Sequence, residues 1–268
     1  MIVDFHSHTR ESDGALAPEE LVDLMRKRGV QVFSITDHDT MRAYGQFAAE
    51  FATVIPGIEI NTTWNDNEVH VLGYGLPLGD DTPLAKVLAD NREFRRTRVD
   101  RMVAALNAAG YEFTVADVVA ESDGGDALGR PHVAKALIRK GLARDVESCF
   151  RDLLVRGKPG YMPSNYITPA QAIDVIRDSG GVPVLAHPGR LKDDAIIDEL
   201  IAHGLVGLEV FYPTHNASQT AIFREQASRN GLVMTAGSDF HDARHNTRGV
   251  GMDVAAADIA PFLELVSS

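Results

Sequence analysis

A strand that ends in two histidines constrains this chain more than any other stretch. A short apolar lead-in from Met1 runs into Asp4-Phe5-His6-Ser7-His8. Side chains at i and i+2 of a strand share a face, so the strand end presents two imidazoles side by side. Later apolar runs carry comparable residues. His38 follows Val32-Phe33-Ser34-Ile35, Glu59 lies in Gly57-Ile58-Glu59-Ile60, and His70 lies in the run from Val69 to Tyr74. His187 follows Val182-Pro183-Val184-Leu185-Ala186, and Asp239 and His241 follow Leu232-Val233-Met234-Thr235-Ala236. The run Gly207 to Phe211 is looser, with His215 four residues past its end. The C-terminal rim of a barrel of parallel strands holds its active site. In a chain with 10 histidines, donors at the ends of most strands argue for a metal centre.

The residues between these runs predict helices, so the chain reads as βα units. Pro18-Glu19-Glu20 opens a helix with an apolar face at Leu21, Leu24 and Met25, ended by Gly29. Further helices are expected over 42–51, 169–179, 193–202, 216–229 and 257–266. The rhythm breaks between about 82 and 166, where strand signal fades. A long helix is expected there over 90–109, carrying Arg92, Arg95, Arg96, Arg98 and Arg101, and another over 131–139. The arginine-rich helix is expected to show a solvated face laced with ion pairs.

Composition limits the partners. A length of 268 residues suits one large α/β domain with an insertion. A net charge of −12 disfavours long nucleic acid, which is held by phosphate neutralisation. No apolar run is long enough to cross a membrane, and the start resembles a strand rather than a signal peptide. With a single cysteine, Cys149, no internal disulfide forms, and the cytoplasm is the expected compartment. Cys149 is expected to be a small buried hydrophobe.

The donor set is nitrogen and carboxylate without thiolate. It suits Mn, Zn or Fe, with Mg less favoured by so much imidazole. There are more donors than one ion takes, so two or three divalent ions are implied. Such clusters generate hydroxide near neutral pH and clamp both oxygens of phosphoester cleavage.

His6-Ser7-His8, Asp13, Thr36-Asp37-His38, Gly57-Ile58-Glu59, His70, Ala186-His187-Pro188 and Gly237-Ser238-Asp239-Phe240-His241 resemble the PHP (polymerase and histidinol phosphatase) family in order and spacing. The resemblance covers residues 1 to about 75 and about 168 to 250. It implies an α/β fold, a distorted (β/α)7 barrel over 1–81 and 167–268 with a helical insertion over 82–166. It also implies three metal ions per chain, manganese first among the candidates. By carry-over, His6, His8, Glu59 and Asp239 hold one ion, and Glu59 bridges to a second held by His70 and His187. Asp13, His38 and His241 hold the third. Asp37 is better read as a carboxylate behind the ligands.

Gly129-Arg130-Pro131-His132 and Gly157-Lys158-Pro159-Gly160-Tyr161 resemble the branch of that family with a helical insertion. That branch removes the 3′-phosphate from nucleoside 3′,5′-bisphosphates, and some members trim short RNA from the 5′ end. A nucleotide such as adenosine 3′,5′-bisphosphate is therefore the expected partner, with no obligate protein partner. Arg130 precedes Pro131 at a helix start, where an anion is favoured and a guanidinium grips phosphate through two parallel bonds. Arg130, Lys158 and His215 are the candidate catalytic residues, and Tyr161 joins them as a candidate substrate contact, by stacking on a base. His215 is a candidate donor to the leaving oxygen. His132, His203 and His245 are expected to be ordinary histidines, and Trp64 to serve packing. Competing readings are a histidinol phosphatase, a metal-dependent amidohydrolase, which also opens with His-x-His, and a non-catalytic metal-binding accessory domain.

Overall fold

A computed structural model describes residues 1–45, 54–65, 67–79, 82–122, 124, 127–163, 166–244 and 246–267. Residues 46–51 of the helix expected over 42–51, the boundary expected at residue 81, and His245 lie outside the described residues.

The chain starts with β1 (Ile2–Asp4), α1 (Pro18–Arg28) and β2 (Val32–Phe33). In α1, Pro18 presets the first turn, Leu21, Val22 and Met25 are buried, and Gly29 closes the helix at φ 74°. Two longer strands follow, β3 (Gly57–Trp64) and β4 (Asn67–Tyr74). They form an antiparallel hairpin turned at Asn65, whose φ is 46°. The expected alternation of strand and helix therefore fails here, because a tight turn needs no crossover helix and reverses the strand.

The insertion contains α2 (Pro83–Ala108), α3 (Val115–Val119), α4 (Arg130–Arg139) and α5 (Val146–Cys149). Thr82 starts α2 by accepting a hydrogen bond from the Ala85 amide, seven residues earlier than the expected start at Asp90. The insertion has its own apolar cluster, including Met102, Leu106, Val133, Leu137 and the buried Cys149. The rest of the chain supplies α6 (Pro169–Asp178), β5 (Val182–Leu185), α7 (Ala195–His203), β6 (Gly207–Phe211), α8 (Ala217–Asn230), β7 (Val233–Ala236), β8 (Met252–Asp253) and α9 (Ala256–Val266). No helix among the described residues is long and apolar enough to cross a membrane.

The strands make two sheets, β2-β1-β8 and β3-β4-β5-β6-β7. The second is antiparallel across β3, β4 and β5, and parallel across β5, β6 and β7. Main-chain bonds join the sheets beyond the regular strands. The Asp239 amide donates to the His6 carbonyl (2.8 Å) and the His8 amide to the Phe240 carbonyl (2.9 Å). On the other side, the Asp39 amide donates to the Glu59 carbonyl (3.0 Å). The segments that follow β1, β2 and β7 thus converge on the same end as the inner face of β3.

The arginines of α2 depart from the expected solvated face. Arg96 and Arg101 are exposed, but Arg95 and Arg98, one turn apart, are 5% and 7% exposed. The Arg95 Nε donates to Asp39 Oδ2 at 2.7 Å, and Asn91 Nδ2 donates to Asp39 Oδ1 at 2.9 Å. A buried pair costs desolvation, yet breaking it strands a charge. Arg95→Ala is expected to destabilise the protein by about 3–5 kcal/mol, read as a lowered urea midpoint at unchanged slope.

Candidate metal centre

The inner face of the hairpin supplies the middle of the site. Glu59 and Asn61 are two apart on β3, and His70 pairs with Asn61 across the ladder, so all three share a face. His6 and His8 lie just past β1, His38 past β2, His187 past β5, and Asp239 and His241 past β7. Asp13 comes from the turn before α1. Three of these end segments carry a non-glycine residue at positive φ, namely Asp39 (54°), His187 (30°) and Asp239 (51°). Such backbone is held against its preference by surrounding contacts, as is common at functional sites. Gly237 is required for another reason. A Cβ there would lie 2.2 Å from His6 Cβ and 2.5 Å from Glu209 Oε1.

The donors fall into three overlapping groups: His6, His8, Glu59 and Asp239; His8, Asp13, His38 and His241; and His38, Glu59 and His70. In the first, His6 Nε2 is 3.3 Å from Glu59 Oε1 and 3.4 Å from Asp239 Oδ1. His8 Nε2 is 3.3 Å from Glu59 Oε2 and 3.2 Å from Asp239 Oδ1. In the second, His241 Nε2 is 3.2 Å from Asp13 Oδ1, and His38 Nε2 is 3.8 Å from Asp13 Oδ2. In the third, His70 Nδ1 is 2.7 Å from Glu59 Oε1. His187 Nε2 joins from the side, 3.2 Å from the same oxygen.

These atoms fit a bound cation better than they fit each other. His6 Nε2, His8 Nδ1, His8 Nε2, Glu59 Oε2 and His187 Nδ1 are buried without a hydrogen-bond partner. Each such buried atom costs about 1–3 kcal/mol unless something satisfies it. Donors about 2.0–2.2 Å from a shared ion stand roughly 3.0–3.5 Å apart, the spacing found in the first group.

The electrostatics has the same sign. Burial by itself would raise the carboxyl groups of Asp13, Glu59 and Asp239, yet the surrounding imidazoles hold all three well below the usual carboxylate range. Burial opposes charge on His8, but Asp239, Glu59 and Asp13 overcome it and push the ring up to about 10. His187 goes the other way. Its burial outweighs Glu59 and brings it to about 4, a neutral donor at ordinary pH.

A further layer fixes the donors. Glu209 on β6 binds His6 Nδ1 at 2.9 Å and accepts the His187 amide at 2.7 Å. It sits in the apolar run Leu208-Glu209-Val210, and that isolated charge was a usable sequence signal. Asn61 Nδ2 lies 3.0 Å from His38 Nδ1. Asp37 stands behind the ligands, accepting from the Thr9 amide, Thr9 Oγ1 and Ser12 Oγ. The Tyr212 hydroxyl (2.7 Å) and Arg190 (3.1 Å) both donate to Asp239 Oδ2. Orienting partners of this kind are typically worth 10- to 100-fold in metal affinity. Tyr212→Phe is expected to weaken Mn²⁺ binding by about tenfold, measured by titration calorimetry.

The centre opens into a cavity of about 190 Å³ lined by donors and by Arg95, Arg98, Arg130 and Arg190. Arg130, at the first turn of α4, pairs with Glu68 and lies over the Phe150 ring at 5.6 Å. Glu68 also accepts from Arg98 at 2.8 Å. Tyr161 is half-buried and lines an adjoining cavity. Lys158 is exposed and lines neither cavity; the cation its loop contributes is Arg156. His215 is spent on main chain. Its Nε2 accepts the Gly189 amide (3.1 Å) and its Nδ1 donates to the Val210 carbonyl (3.0 Å), so it steadies the turn after His187. Nothing in the sequence set Arg95 and Arg98 apart from their neighbours on α2.

Comparison with known proteins places this geometry. The PHP domain profile matches residues 4–158. A 3′,5′-nucleoside bisphosphate phosphatase from Chromobacterium violaceum is 34% identical over 258 residues, covering 93% of this chain and 90% of that protein. The 5′-3′ exoribonuclease Rnm of Escherichia coli is 34% identical over 252 residues, 90% of this chain and 85% of that protein. A solved structure from Chromobacterium violaceum, described as an amidohydrolase with bound sulfate and no metal, superposes with a TM-score of 0.88 at 32% identity, over 99% of this chain and 96% of that one. With the family profile over more than half its length, and relatives of this similarity along nearly all of it, the chain belongs to the PHP-domain family.

Proposed function

We propose that this protein is a metal-dependent phosphoesterase that removes the 3′-phosphate from nucleoside 3′,5′-bisphosphates, giving the 5′-monophosphate, and that also trims short RNA from its 5′ end. The observation that carries the reading is the meeting of unsatisfied buried donors with four arginines in one small cavity, in a chain whose overall charge is −12. An acidic protein gathers cations in one place when the ligand there is an anion. The named activities of the relatives agree with this.

Bound divalent ions, three per chain and manganese by preference, would supply an activated water and charge neutralisation at the phosphoryl oxygens. The chain's own residues do the rest. His6, His8, Glu59 and Asp239 would hold one ion, Glu59, His70 and His187 a second, and Asp13, His38 and His241 the third. Arg130 and Arg98 face the phosphoryl group from the insertion, and Arg190 from the turn after β5. Glu209, Tyr212 and Asn61 keep the donors aimed and so reduce reorganisation during reaction. The two linked sheets are read as a distorted (β/α)7 barrel, residues 82–166 as an inserted subdomain, and the compartment as the cytoplasm.

An amidohydrolase reading follows from the description of the sulfate-bound structure. Glu59 takes the bridging role that such enzymes give to a modified lysine, and among the described residues no lysine lines the cavity at the centre. A histidinol phosphatase has less use for the cations that the insertion adds. Phosphate release from adenosine 3′,5′-bisphosphate with Mn²⁺ decides the matter. Release is expected to exceed that from 5′-AMP and from histidinol phosphate by at least about a hundredfold, since a missed phosphate contact leaves paired cations unsatisfied. Equal rates would remove the bisphosphate assignment.

A further inference from the structure

The donors of the three ions are not all steadied by the same part of the chain. Glu209 holds His6 and the His187 amide, and Tyr212 and Arg190 hold Asp239, all from beyond the insertion. Two donors of the third ion, Asp13 and His38, stand beside residues that the insertion grips. Asp39, next to His38, is fully buried at φ 54° and meets three residues of α2. Asn91 Nδ2 donates to its Oδ1 (2.9 Å), Arg95 Nε to its Oδ2 (2.7 Å), and Arg92 to its carbonyl (2.7 Å). Asn61 closes the path, since its Nδ2 lies 2.9 Å from Asp39 Oδ2 and 3.0 Å from His38 Nδ1.

Helix α4 grips the other segment. His132, 1% exposed, accepts the Gly129 amide at Nδ1 (3.1 Å). Burial brings this ring to about 4, so it is neutral at ordinary pH and carries its proton on Nε2. Its other hydrogen bond goes to the carbonyl of Ser12, one residue before Asp13. One turn further along α4, Lys135 Nζ reaches the Asp13 carbonyl (3.5 Å).

The same two helices carry arginines of the cavity. Arg98 lies two turns beyond Asn91 on one face of α2, and Arg130 lies two residues before His132. Both helices share the apolar cluster that includes Met102, Leu106, Val133 and Leu137. Asp13 Oδ2 and His38 Nε2 stand 3.8 Å apart. An ion that holds these two donors therefore also fixes α2 and α4, together with their arginines.

We propose that His132 and Asn91 are positioning residues through which the insertion docks on the Asp13 and His38 segments, so that loading of the third ion and placement of Arg98 and Arg130 are coupled. This rests on the three-ion phosphoesterase reading and adds its regulation: the arginines are set for a phosphoryl group when the metal centre is complete.

Coupling is reciprocal, so the test on the full-length protein runs from both ends. At the insertion end, His132→Asn keeps an acceptor where Nδ1 stood and removes the donor to Ser12, while His132→Gln places a donor where Nε2 stood. Calorimetric titration of the chelated protein with Mn²⁺ is expected to show the third ion weakened about tenfold in His132→Asn, with the other ions unchanged. His132→Gln should restore it. His241→Ala, which removes a donor of that ion alone, identifies its step in the isotherm. If His132→Asn does not fold, Asn91→Ala replaces it with the same expectation. At the metal end, hydrogen exchange of the α4 amides is expected to slow about tenfold when Mn²⁺ is added to the parent, and not in His241→Ala, although residue 241 lies outside the insertion. Equal weakening of every ion in His132→Asn would mean that His132 serves the fold alone, and it overturns the proposal. So does α4 exchange that responds to Mn²⁺ in His241→Ala as it does in the parent. If nucleotides yield no phosphate while both effects appear, the coupling stands and the phosphoesterase reading falls. If turnover is seen and neither effect appears, the reverse holds.

Discussion

Glu59→Gln is expected to abolish turnover while leaving the protein folded. Glu59 belongs to two of the donor groups, and its oxygens lie within 3.3 Å of nitrogens on His6, His8, His38, His70 and His187. Among the described residues, no other side chain touches so many donors. Glutamine keeps the size but replaces one acceptor oxygen by an amide nitrogen that cannot coordinate, and it removes the charge that balances several imidazoles. Metal-assisted chemistry supplies several kcal/mol of barrier lowering, so losing the shared ligand should cost about a thousandfold or more in kcat. Elemental analysis should show at least one ion fewer per chain, and circular dichroism should be unchanged. A variant with the parent's rate and metal content would remove Glu59 from the bridging role.

Stripping divalent ions with dipicolinate is expected to abolish activity and to lower thermal stability. The orphaned nitrogens and oxygens of His6, His8, Glu59 and His187 are buried against one another, and cations binding only the folded form stabilise it by mass action. At ion concentrations about a thousandfold above the dissociation constant, that is worth roughly 4 kcal/mol per site. For a chain of this size it corresponds to a melting midpoint lower by about 10 °C. Restoring Mn²⁺ should return both activity and midpoint. A melting curve indifferent to chelation would show that the donors satisfy one another without an ion.

The largest effects on turnover thus fall on residues visible in the sequence, while folding revealed the residues that orient them and the buried Arg95. Glu209 could have been suspected from its place in an apolar strand. Tyr212, Asn61 and Arg190 carry no such mark, because an orienting role is defined by the partner and not by the residue type. Lys158 and Arg156 make the point most directly. The sequence pointed to Lys158 as the cation of its loop, whereas the fold leaves Lys158 in solvent and lines the adjoining cavity with Arg156.

The sequence by itself determined the donor inventory and its order, because histidines and carboxylates at strand ends are local features of a period-two pattern. It likewise set several helix starts, through Pro18 in the first turn of α1 and through Thr168 and Asn216 at the caps of α6 and α8. Only the tertiary structure decided that β3 and β4 turn back as a hairpin, that Arg95 and Arg98 are buried rather than solvated, and that His215 serves the main chain. The burial of Arg95 and Arg98 depends on Asp39 and Glu68, 56 and 30 residues away, and the role of His215 on Gly189, 26 residues away, and no local pattern encodes such distances. The hairpin is local, but apolar runs do not show whether the turn between them reverses the strand.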